Sequence, residues 1–404
     1  MGILEGKKIL LGITAGIAAY KTASLVRLFV KAGARVKVIM TPDAKDFVTP
    51  LTLSTLSKNP VISSFTQKED ENAVWNNHVE IGLWADLMLI APATANTLSK
   101  MASGESDNFL LATYLSAKCP VYFAPAMDLD MYKHPATLHS IKQLESYGNI
   151  MIPAESGELA SGLQGEGRMA EPENILDFIT SHLLQQMPLR GKIILITAGP
   201  TYEAIDPVRF IGNHSSGKMG FEIAREAAGL GAKVILVTGP THLELSNDNI
   251  KVVRVTSGKE MDDAVQAEFG SCHAVIAAAA VSDYRPKIVA AQKIKKKEAS
   301  LTIELEPSKD ILASLGEAKT HQKLIGFALE TDNELENAKG KLERKNLDFI
   351  VLNSLNDEGA GFKGDSNKIT IVSREDVKRF DLKSKAEVAR DILNEVILLF
   401  DGKN

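Results

Sequence analysis

The sequence predicts an α/β chain built as two parallel-sheet domains, and three observations predict it. A short apolar run ending in glycine occurs twice, as Lys8-Ile9-Leu10-Leu11-Gly12-Ile13-Thr14-Ala15-Gly16 and as Lys192-Ile193-Ile194-Leu195-Ile196-Thr197-Ala198-Gly199. Each copy leads through helix-compatible sequence to a second apolar run that opens Gly-Ala-basic-Val, at Gly33-Ala34-Arg35-Val36 and Gly231-Ala232-Lys233-Val234. The chain has 404 residues, enough for about two or three domains. Strand, helix and strand in that order form a crossover unit with parallel strands, so each copy founds a doubly wound sheet.

The elements follow in order. Each β-branched run reads as a buried strand, and its glycine as the tight turn that ends it. In the first half, Leu87 to Ala91 and Val121 to Ala124 read as further buried strands. In the second half the same pattern marks Ala274 to Ala280, Leu324 to Ala328, Phe349 to Leu352 and Lys368 to Val372. Ala386 to Phe400 carries apolar residues at helical spacing and reads as a closing helix. The run from His182 to Arg190 separates the halves. A boundary near Met187 divides the chain into domains 1–188 and 189–404. The second copy is longer by about fifteen residues between strand and helix, at the carboxyl edge where parallel sheets bind ligands. That insertion is a candidate binding loop.

Composition narrows the function. With 45% hydrophobic and 24% charged residues, the chain is an ordinary globular protein rather than a disordered one. A net charge of −5 argues against a nucleic-acid partner. The longest apolar run, Ala274 to Val281, is far short of the ~18 residues of a membrane span. Cys119 and Cys272 belong to no CxxC pair, which argues against a disulfide framework and a cysteine-built zinc site. The apolar run after Lys7-Lys8 meets Gly12 too early for a signal peptide. The reading is a cytoplasmic protein.

Five stretches of the first half carry candidate chemistry. Gly12, Thr14, Gly16, Ile17 and Ala18 form a small-residue turn that opens a helix, where a phosphate can meet free N–H groups and the Thr14 hydroxyl. Pro92, Ala93, Thr94, Asn96 and Thr97 follow a strand and suit a ring-binding loop, although Asn96 or Thr97 capping the next helix is the plainer reading. His78 stands shortly before that strand, and Met127 and Asp128 follow the next. The glycine-rich run from Pro153 to Pro172, with Arg168, reads as a surface loop or as a lid over a pocket.

Taken in order, these motifs resemble the flavin-dependent cysteine decarboxylases. More narrowly, they are similar to the phosphopantothenoylcysteine decarboxylase half of the bifunctional coenzyme A biosynthesis family. The resemblance implies a flavodoxin-like domain over 1–188 that holds FMN with Gly12, Thr14, Gly16, Ile17, Ala18, Thr41, Pro92, Ala93, Thr94, Asn96 and Thr97. It implies His78 as the base for the substrate thiol, and Met127 and Arg168 as substrate contacts. In that family the cysteine moiety is oxidised, loses CO2 and is reduced again. Two positions depart from the pattern. Asp128 stands where the family has an asparagine that holds the leaving carboxylate. Ser161 stands where the family has a cysteine acid, and serine is a far weaker proton donor. The expectation is retained decarboxylation through a changed proton relay. The alternative is a ligase carrying a flavin domain with partial or lost decarboxylase activity, acting as a regulatory flavin-binding unit.

The inserted loop of the second half holds Arg209 and Asn213, then Ser215-Ser216-Gly217-Lys218, which suits either phosphate binding or a serine-capped helix start. Ala277, Ala278 and Ala279 follow a strand and allow a planar base to approach, and Asp283 after them suits either accepting from an amine or ribose hydroxyl or capping a turn. Lys293, Lys295, Lys296 and Lys297 form a basic run that reads as a solvated face or, beside a triphosphate site, supplies one lysine to stabilise charge as pyrophosphate leaves. Phe327 closes another strand, and Lys341 and Lys345 lie on the helix after it. The ordered set resembles the bacterial phosphopantothenate–cysteine ligases, which implies a Rossmann-like domain over 189–404. In that family CTP activates the carboxylate of 4'-phosphopantothenate, and cysteine displaces CMP. The resemblance assigns Arg209 and Asn213 to phosphopantothenate. It assigns Ala277, Ala278, Ala279, Asp283, Lys309, Asp310, Ile311, Leu312, Phe327, Lys341 and Lys345 to the nucleotide, with Lys293 at the acyl-transfer centre. No metal-ligand cluster is visible, so the Mg2+ that accompanies CTP is expected on the triphosphate. The resemblance also implies a homo-oligomer, with trimeric flavin units and dimeric ligase units.

Overall fold

The computed structural model describes residues 3–66, 75–159, 161–295, 301–330, 332–354 and 364–402. Ala160, Lys296, Lys297 and Thr331 lie outside them. The chain divides into two compact units, Met1–Gln185 and Gln186–Asn404.

The first unit runs β1 (Lys8–Ile13), α1 (Thr22–Lys31), β2 (Arg35–Met40), α2 (Pro50–Ser57), β3 (Val61–Ile62), α3 (His78–Trp84), β4 (Leu87–Ala93), α4 (Ala95–Ser103), α5 (Phe109–Ser116), β5 (Val121–Pro125), α6 (Leu129–Lys133), α7 (Pro135–Ser146), β6 (Ile150–Met151), β7 (Glu155–Glu158), β8 (Gln164–Arg168) and α8 (Pro172–Gln185). Its six-stranded sheet has the order β3-β2-β1-β4-β5-β6 and is parallel throughout. Alternate residues of β1 explain the layering: Leu11 packs into one core with α1 and α8, while Leu10 packs into another with α5. The strand order reverses between β1 and β4, and the crevice beyond their carboxyl ends is where doubly wound sheets bind ligands.

The second unit runs β9 (Ile193–Ala198), β10 (Tyr202–Ala204), β11 (Phe210–Gly212), α9 (Lys218–Gly229), β12 (Lys233–Thr238), β13 (Ile250–Arg254), α10 (Gly258–Phe269), β14 (Ala274–Ala277), β15 (Tyr284–Pro286), β16 (Leu305–Pro307), α11 (Ile311–Ala318), β17 (Lys323–Glu330), α12 (Glu334–Arg344), β18 (Phe349–Ser354), β19 (Ser366–Asn367), β20 (Thr370–Ser373), β21 (Val377–Arg379), β22 (Lys383–Ser384) and α13 (Lys385–Phe400). The main sheet has the order β13-β12-β9-β14-β17-β18-β20-β21, with its own reversal beside β9. α13 begins at a capping box, Ser384 with Glu387.

Three local expectations change. The second sheet is mixed rather than parallel, because β20 runs antiparallel to β18 and continues by a short turn into β21; a short turn can only join antiparallel strands. The strand expected over Ala274 to Ala280 stops at Ala277, where the Ala278 N–H turns back to Thr197 O. The glycine-rich run near Arg168 is a β-hairpin, β7–β8, rather than an open loop. Its glycines allow close approach: a Cβ on Gly165 would lie 2.6 Å from Leu129 Cδ1. Among the described residues no helix is long and apolar enough to cross a membrane.

Candidate active sites

The first cavity opens at the reversal beside β1. Gly16, in extended backbone, leads into a single 3-10 turn over Ile17–Lys21. Thr94 caps α4 by accepting the Thr97 N–H, so neither Asn96 nor Thr97 is the cap. Thr14 does not offer a free hydroxyl: its Oγ1 donates to Pro92 O at 2.7 Å and accepts the Thr94 N–H at 3.3 Å. It ties the two strand-end loops together instead.

The enclosed space is about 950 Å³, the size range of small-molecule pockets. Gly16, Ile17, Ala18, Thr41, Thr94, Asn96, Thr97, Met127, Asp128 and Arg168 line it. Gly12, Thr14, Pro92 and Ala93 support this wall without lining it. His78 and Ser161 are also off the wall. Ser161 is exposed in the β7–β8 turn, where its Oγ accepts the Leu163 N–H at 3.4 Å. His78 opens α3 behind its cap Asn77, edge-on to Phe65 and Trp75, and its Nδ1 is buried without a hydrogen bond.

Sequence reading missed the charge at one corner of this cavity. Lys21 is buried, and its Nζ donates to Met169 O and to Glu171 Oε1, both at 3.0 Å. Arg168 bonds the same carboxylate oxygen. The Lys21 hydrogen bond holds the Glu171 carboxyl below its usual range against the opposing effect of burial. Lys21 follows the strand-end glycine by five positions, but its partner is 150 residues away, which no local pattern signals. The residues present fit a flavin. Thr41 Oγ1 is buried on the wall with no partner, so it is a hydroxyl awaiting one. The space a Gly16 Cβ would occupy is bounded only by Thr94 Cγ2 at 3.5 Å.

The second cavity lies beyond β9, β14 and β17 and measures about 290 Å³. Ala277, Ala279, Asp283, Lys309, Asp310, Ile311, Leu312, Phe327, Lys341 and Lys345 line it. Three of its lysines are engaged. Lys309 Nζ pairs with the largely buried Asp262 at 2.7 Å, Lys345 Nζ with Asp310 at 2.6 Å, and Lys341 Nζ donates to Phe327 O at 2.9 Å. Burial pushes the Asp310 carboxyl up, but the Lys345 hydrogen bond and the Ala313 N–H outweigh it and hold it below the usual range. Ser282 Oγ and Ser308 Oγ line the same space, buried and without partners. Neither these serines nor Asp262 was singled out from sequence, since an isolated serine or helical aspartate carries no signal of its own.

Ala278, Arg209, Asn213 and Lys293 lie off this wall. Arg209 and Asn213 belong to the inserted segment, which forms the β10–β11 hairpin. Asn213 Nδ2 donates to Ala280 O and Val281 O, at 3.3 and 3.1 Å. The helix start after it is not serine-capped: α9 follows Gly217, which has φ +78° and no side-chain cap. Among the described residues no cluster of three or more His, Cys, Asp or Glu is arranged to hold a metal.

Two family models divide the chain between them. Residues 2–184 match the family described as Flavoprotein, and residues 189–399 match the DNA/pantothenate metabolism flavoprotein C-terminal domain. The coenzyme A biosynthesis bifunctional protein CoaBC of Bacillus subtilis (strain 168) is 43% identical over 98% of both chains. The chain belongs to the CoaBC family. The CoaBC protein of Escherichia coli (strain K12) is 42% identical over 99% of both chains. A third relative, the cysteine/cysteine sulfinic acid decarboxylase of an unknown prokaryotic organism, is 52% identical over 87% of this chain and 99% of its own. As a CoaBC member the chain is a bifunctional enzyme of coenzyme A biosynthesis, with a flavoprotein decarboxylase half and a ligase half.

Proposed function

We propose that residues 189–404 condense 4'-phosphopantothenate with cysteine at the expense of CTP, and that residues 1–188 decarboxylate the product with FMN to give 4'-phosphopantetheine. The observation that carries the ligase reading is the second cavity: ten of the eleven residues assigned to the nucleotide line it together. Lys309, Lys341 and Lys345 bind the triphosphate by exchanging their internal partners for phosphate oxygens. The unpartnered hydroxyls of Ser282 and Ser308 take up polar atoms of the nucleotide. Arg209 and Asn213 orient phosphopantothenate, and Lys293 stabilises the charge that builds as the acyl group transfers. Mg2+ arrives on the triphosphate and water, because among the described residues no cluster of three or more His, Cys, Asp or Glu is arranged to hold it.

In the decarboxylase half, Gly16, Ile17, Ala18, Thr41, Thr94, Asn96 and Thr97 would hold FMN, which when bound would supply reversible hydride transfer at the carbon that bears sulfur. Lys21 and Arg168, both fixed on Glu171, give this cavity its positive corner, and Met127 packs against the substrate. His78 accepts the thiol proton from a second copy of the chain. It is absent from the cavity of its own copy, and exposed apolar side chains flank both places: Trp75, Val79 and Leu83 around His78, Ile17, Tyr20 and Met131 at the rim. The same reading makes the flavin units trimeric. It makes the ligase units dimeric through the exposed Val208, Phe210, Tyr284 and Val289. The enzyme is cytoplasmic, and besides its own copies its partners are small molecules.

One observation favours a second reading of the decarboxylase half. Asp128 lines the cavity, and although its carbonyl accepts the Tyr132 N–H, its carboxylate makes no cap hydrogen bond to α6. A carboxylate there repels the carboxylate of an N-acylated cysteine but attracts the α-ammonium of free cysteine. The relative named as a cysteine/cysteine sulfinic acid decarboxylase accords with that choice. One experiment separates the readings. Full-length enzyme loaded with FMN is given phosphopantothenate, cysteine and CTP, and in parallel free cysteine alone, with products followed by mass spectrometry. Phosphopantetheine in the first mixture supports the main reading, and cysteamine in the second supports the alternative substrate. Phosphopantothenoylcysteine that accumulates unconverted, with no cysteamine from cysteine, overturns decarboxylation and leaves a ligase with a flavin-binding unit.

A further inference from the structure

A short segment of the second unit, residues 288–295, has no regular structure and carries Lys293. Ile288, Gln292, Lys293 and Lys295 are exposed, so no core burial holds the segment down. It is held at two points that straddle Lys293. Before it, the Ala290 N–H donates to Ile205 O at 3.0 Å. After it, the Ile294 N–H donates to Asp206 Oδ2 at 3.1 Å, and Ile294 O accepts from Arg209 Nη2 at 3.0 Å.

Ile205 makes the first anchor, and its neighbour Asp206 connects both bonds of the second. Its side chain is fully buried, although it sits in the turn of a surface hairpin. Oδ1 accepts the Val208 and Arg209 N–H groups at 2.8 and 2.9 Å, which shapes the turn that presents Arg209. Oδ2 takes the Ile294 N–H and faces Arg209 Nη1 at 3.4 Å. One carboxylate therefore receives main-chain donors from two segments 88 residues apart and also orients a guanidinium. Burial pushes this carboxyl up, but the N–H groups of Val208, Ile294 and Arg209 outweigh it and keep it below its usual range, so it is ionised at neutral pH. A turn needs only one such acceptor; the second oxygen, spent on a distant exposed segment, is what turn-making leaves unexplained.

We propose that Asp206 is a positioning residue of the ligase reaction, which locks the Lys293 segment and Arg209 into one frame. The proposal rests on the acyl-transfer role assigned to Lys293 above. Asp206 reaches neither substrate nor nucleotide cavity. It acts by fixing the distance between the lysine that meets the transferring acyl group and the arginine that meets its phosphorylated end.

The test uses full-length enzyme and three variants, Asp206→Ala, Asp206→Asn and Lys293→Ala. Displacing a catalytic group by about 1 Å costs on the order of 100-fold, so the Asp206→Ala ligase kcat should fall by about that factor. The KM for CTP should stay within about threefold, because no cavity lysine is bonded to Asp206. Asp206→Asn, which keeps an oxygen acceptor and loses the charge, should recover about tenfold of the lost rate. A second readout does not depend on activity. Limited trypsin digestion after Lys293 and Lys295 should be at least about tenfold faster in Asp206→Ala, because local opening sets such cleavage. Unchanged cleavage overturns the clamp. An inactive Lys293→Ala beside an Asp206→Ala of wild-type kcat overturns the positioning role alone. A fully active Lys293→Ala refutes the acyl-transfer reading and the coupling with it. If Asp206→Ala fails to fold, Asp206→Asn carries the same measurements.

Discussion

The two cavities sit at equivalent places in two doubly wound sheets, yet they handle charge in opposite ways. In the first, two cations converge on one acid: Lys21 and Arg168 share Glu171 Oε1, and Lys21 is buried. That corner is fixed before any ligand arrives. In the second, the lysines are dispersed over separate acceptors, Asp262, Asp310 and the Phe327 carbonyl, and the Lys309 side chain remains 59% exposed. Partly exposed pairs hold weakly, so an arriving triphosphate can trade places with each acceptor at small cost. A preformed corner suits a charge that must be in place when the substrate arrives, and exchangeable pairs suit the proposed nucleotide, which would be consumed and released each turnover.

The sharpest way to break this contrast is through glycine. Gly316 lies inside α11, and a Cβ there would collide with the backbone carbonyl of Lys345. Gly to Ala inside a helix normally gains about 0.5–1 kcal/mol. Here the collision is with backbone, which cannot rotate away, so overpacking of about 3 kcal/mol or more reverses the sign. Gly316→Ala should lower the thermal midpoint of the ligase half and displace Lys345, weakening CTP binding at least tenfold, about 1.4 kcal/mol. Flavin content should not change. The counterpart is Gly16→Ala, where the backbone is extended and the nearest atom is 3.5 Å away. It should fold normally and lose only flavin. Calorimetry with flavin absorbance and CTP titration on both variants checks the pair; a stable Gly316→Ala with normal CTP affinity would break the contrast.

How much of this was legible beforehand follows from what each feature depends on. The repeated strand-and-glycine pattern is local, and β1, β2, β9 and β12 follow it with parallel registers. The first cavity opens at the carboxyl-edge loops after β1 and β2, whereas the second takes its lining from the segments after β14 and β17, with only Thr197 from β9. The β7–β8 hairpin was not legible. Gly165 and Gly167 look like loop glycines, but they are small because Leu129 and the Met127 carbonyl approach them. Nor was the corner of Lys21 and Glu171, or the pair of Lys309 and Asp262, 47 residues apart, since ion pairs between distant segments leave no periodicity. Thr14 shows the converse. Its residue type suits a phosphate, but its position between two strand ends commits the hydroxyl to Pro92.

Thr41 sharpens the comparison from the side of the first cavity. Its hydroxyl is buried and unpaired, and an unsatisfied buried polar group costs about 1–3 kcal/mol. Thr41→Val keeps the shape and removes that group. Without flavin, the variant should be as stable as the parent or more stable by up to about 1 kcal/mol. Flavin affinity should fall about tenfold, because the flavin loses that hydroxyl as a hydrogen-bond partner. Chemical denaturation of the flavin-free protein and a flavin titration measure the two effects. A variant that loses stability without flavin and binds it normally would mean that Thr41 serves the fold and not the ligand.

The smallest effect tests the exchangeable pairs directly. The folded Asp310 carboxyl sits below the usual range, held there by Lys345 and the Ala313 N–H. A carboxyl depressed on folding contributes stability that is complete above its unfolded pKa, about 3.9, and is lost as pH falls through the lower folded value. With 48% of its side chain exposed, solvent screening limits the contribution to about 0.5 kcal/mol. Asp310→Asn should therefore be slightly less stable than the parent at pH 6, and the gap should close as pH approaches 3. At neutral pH the same change frees Lys345 from its acid, so CTP should bind equally well or up to about twofold tighter if the pair is an exchangeable resting state. Tenfold weaker CTP binding would mean that Asp310 holds Lys345 in place for the nucleotide. The second cavity would then be as preformed as the first, and the difference between them would be one of size alone.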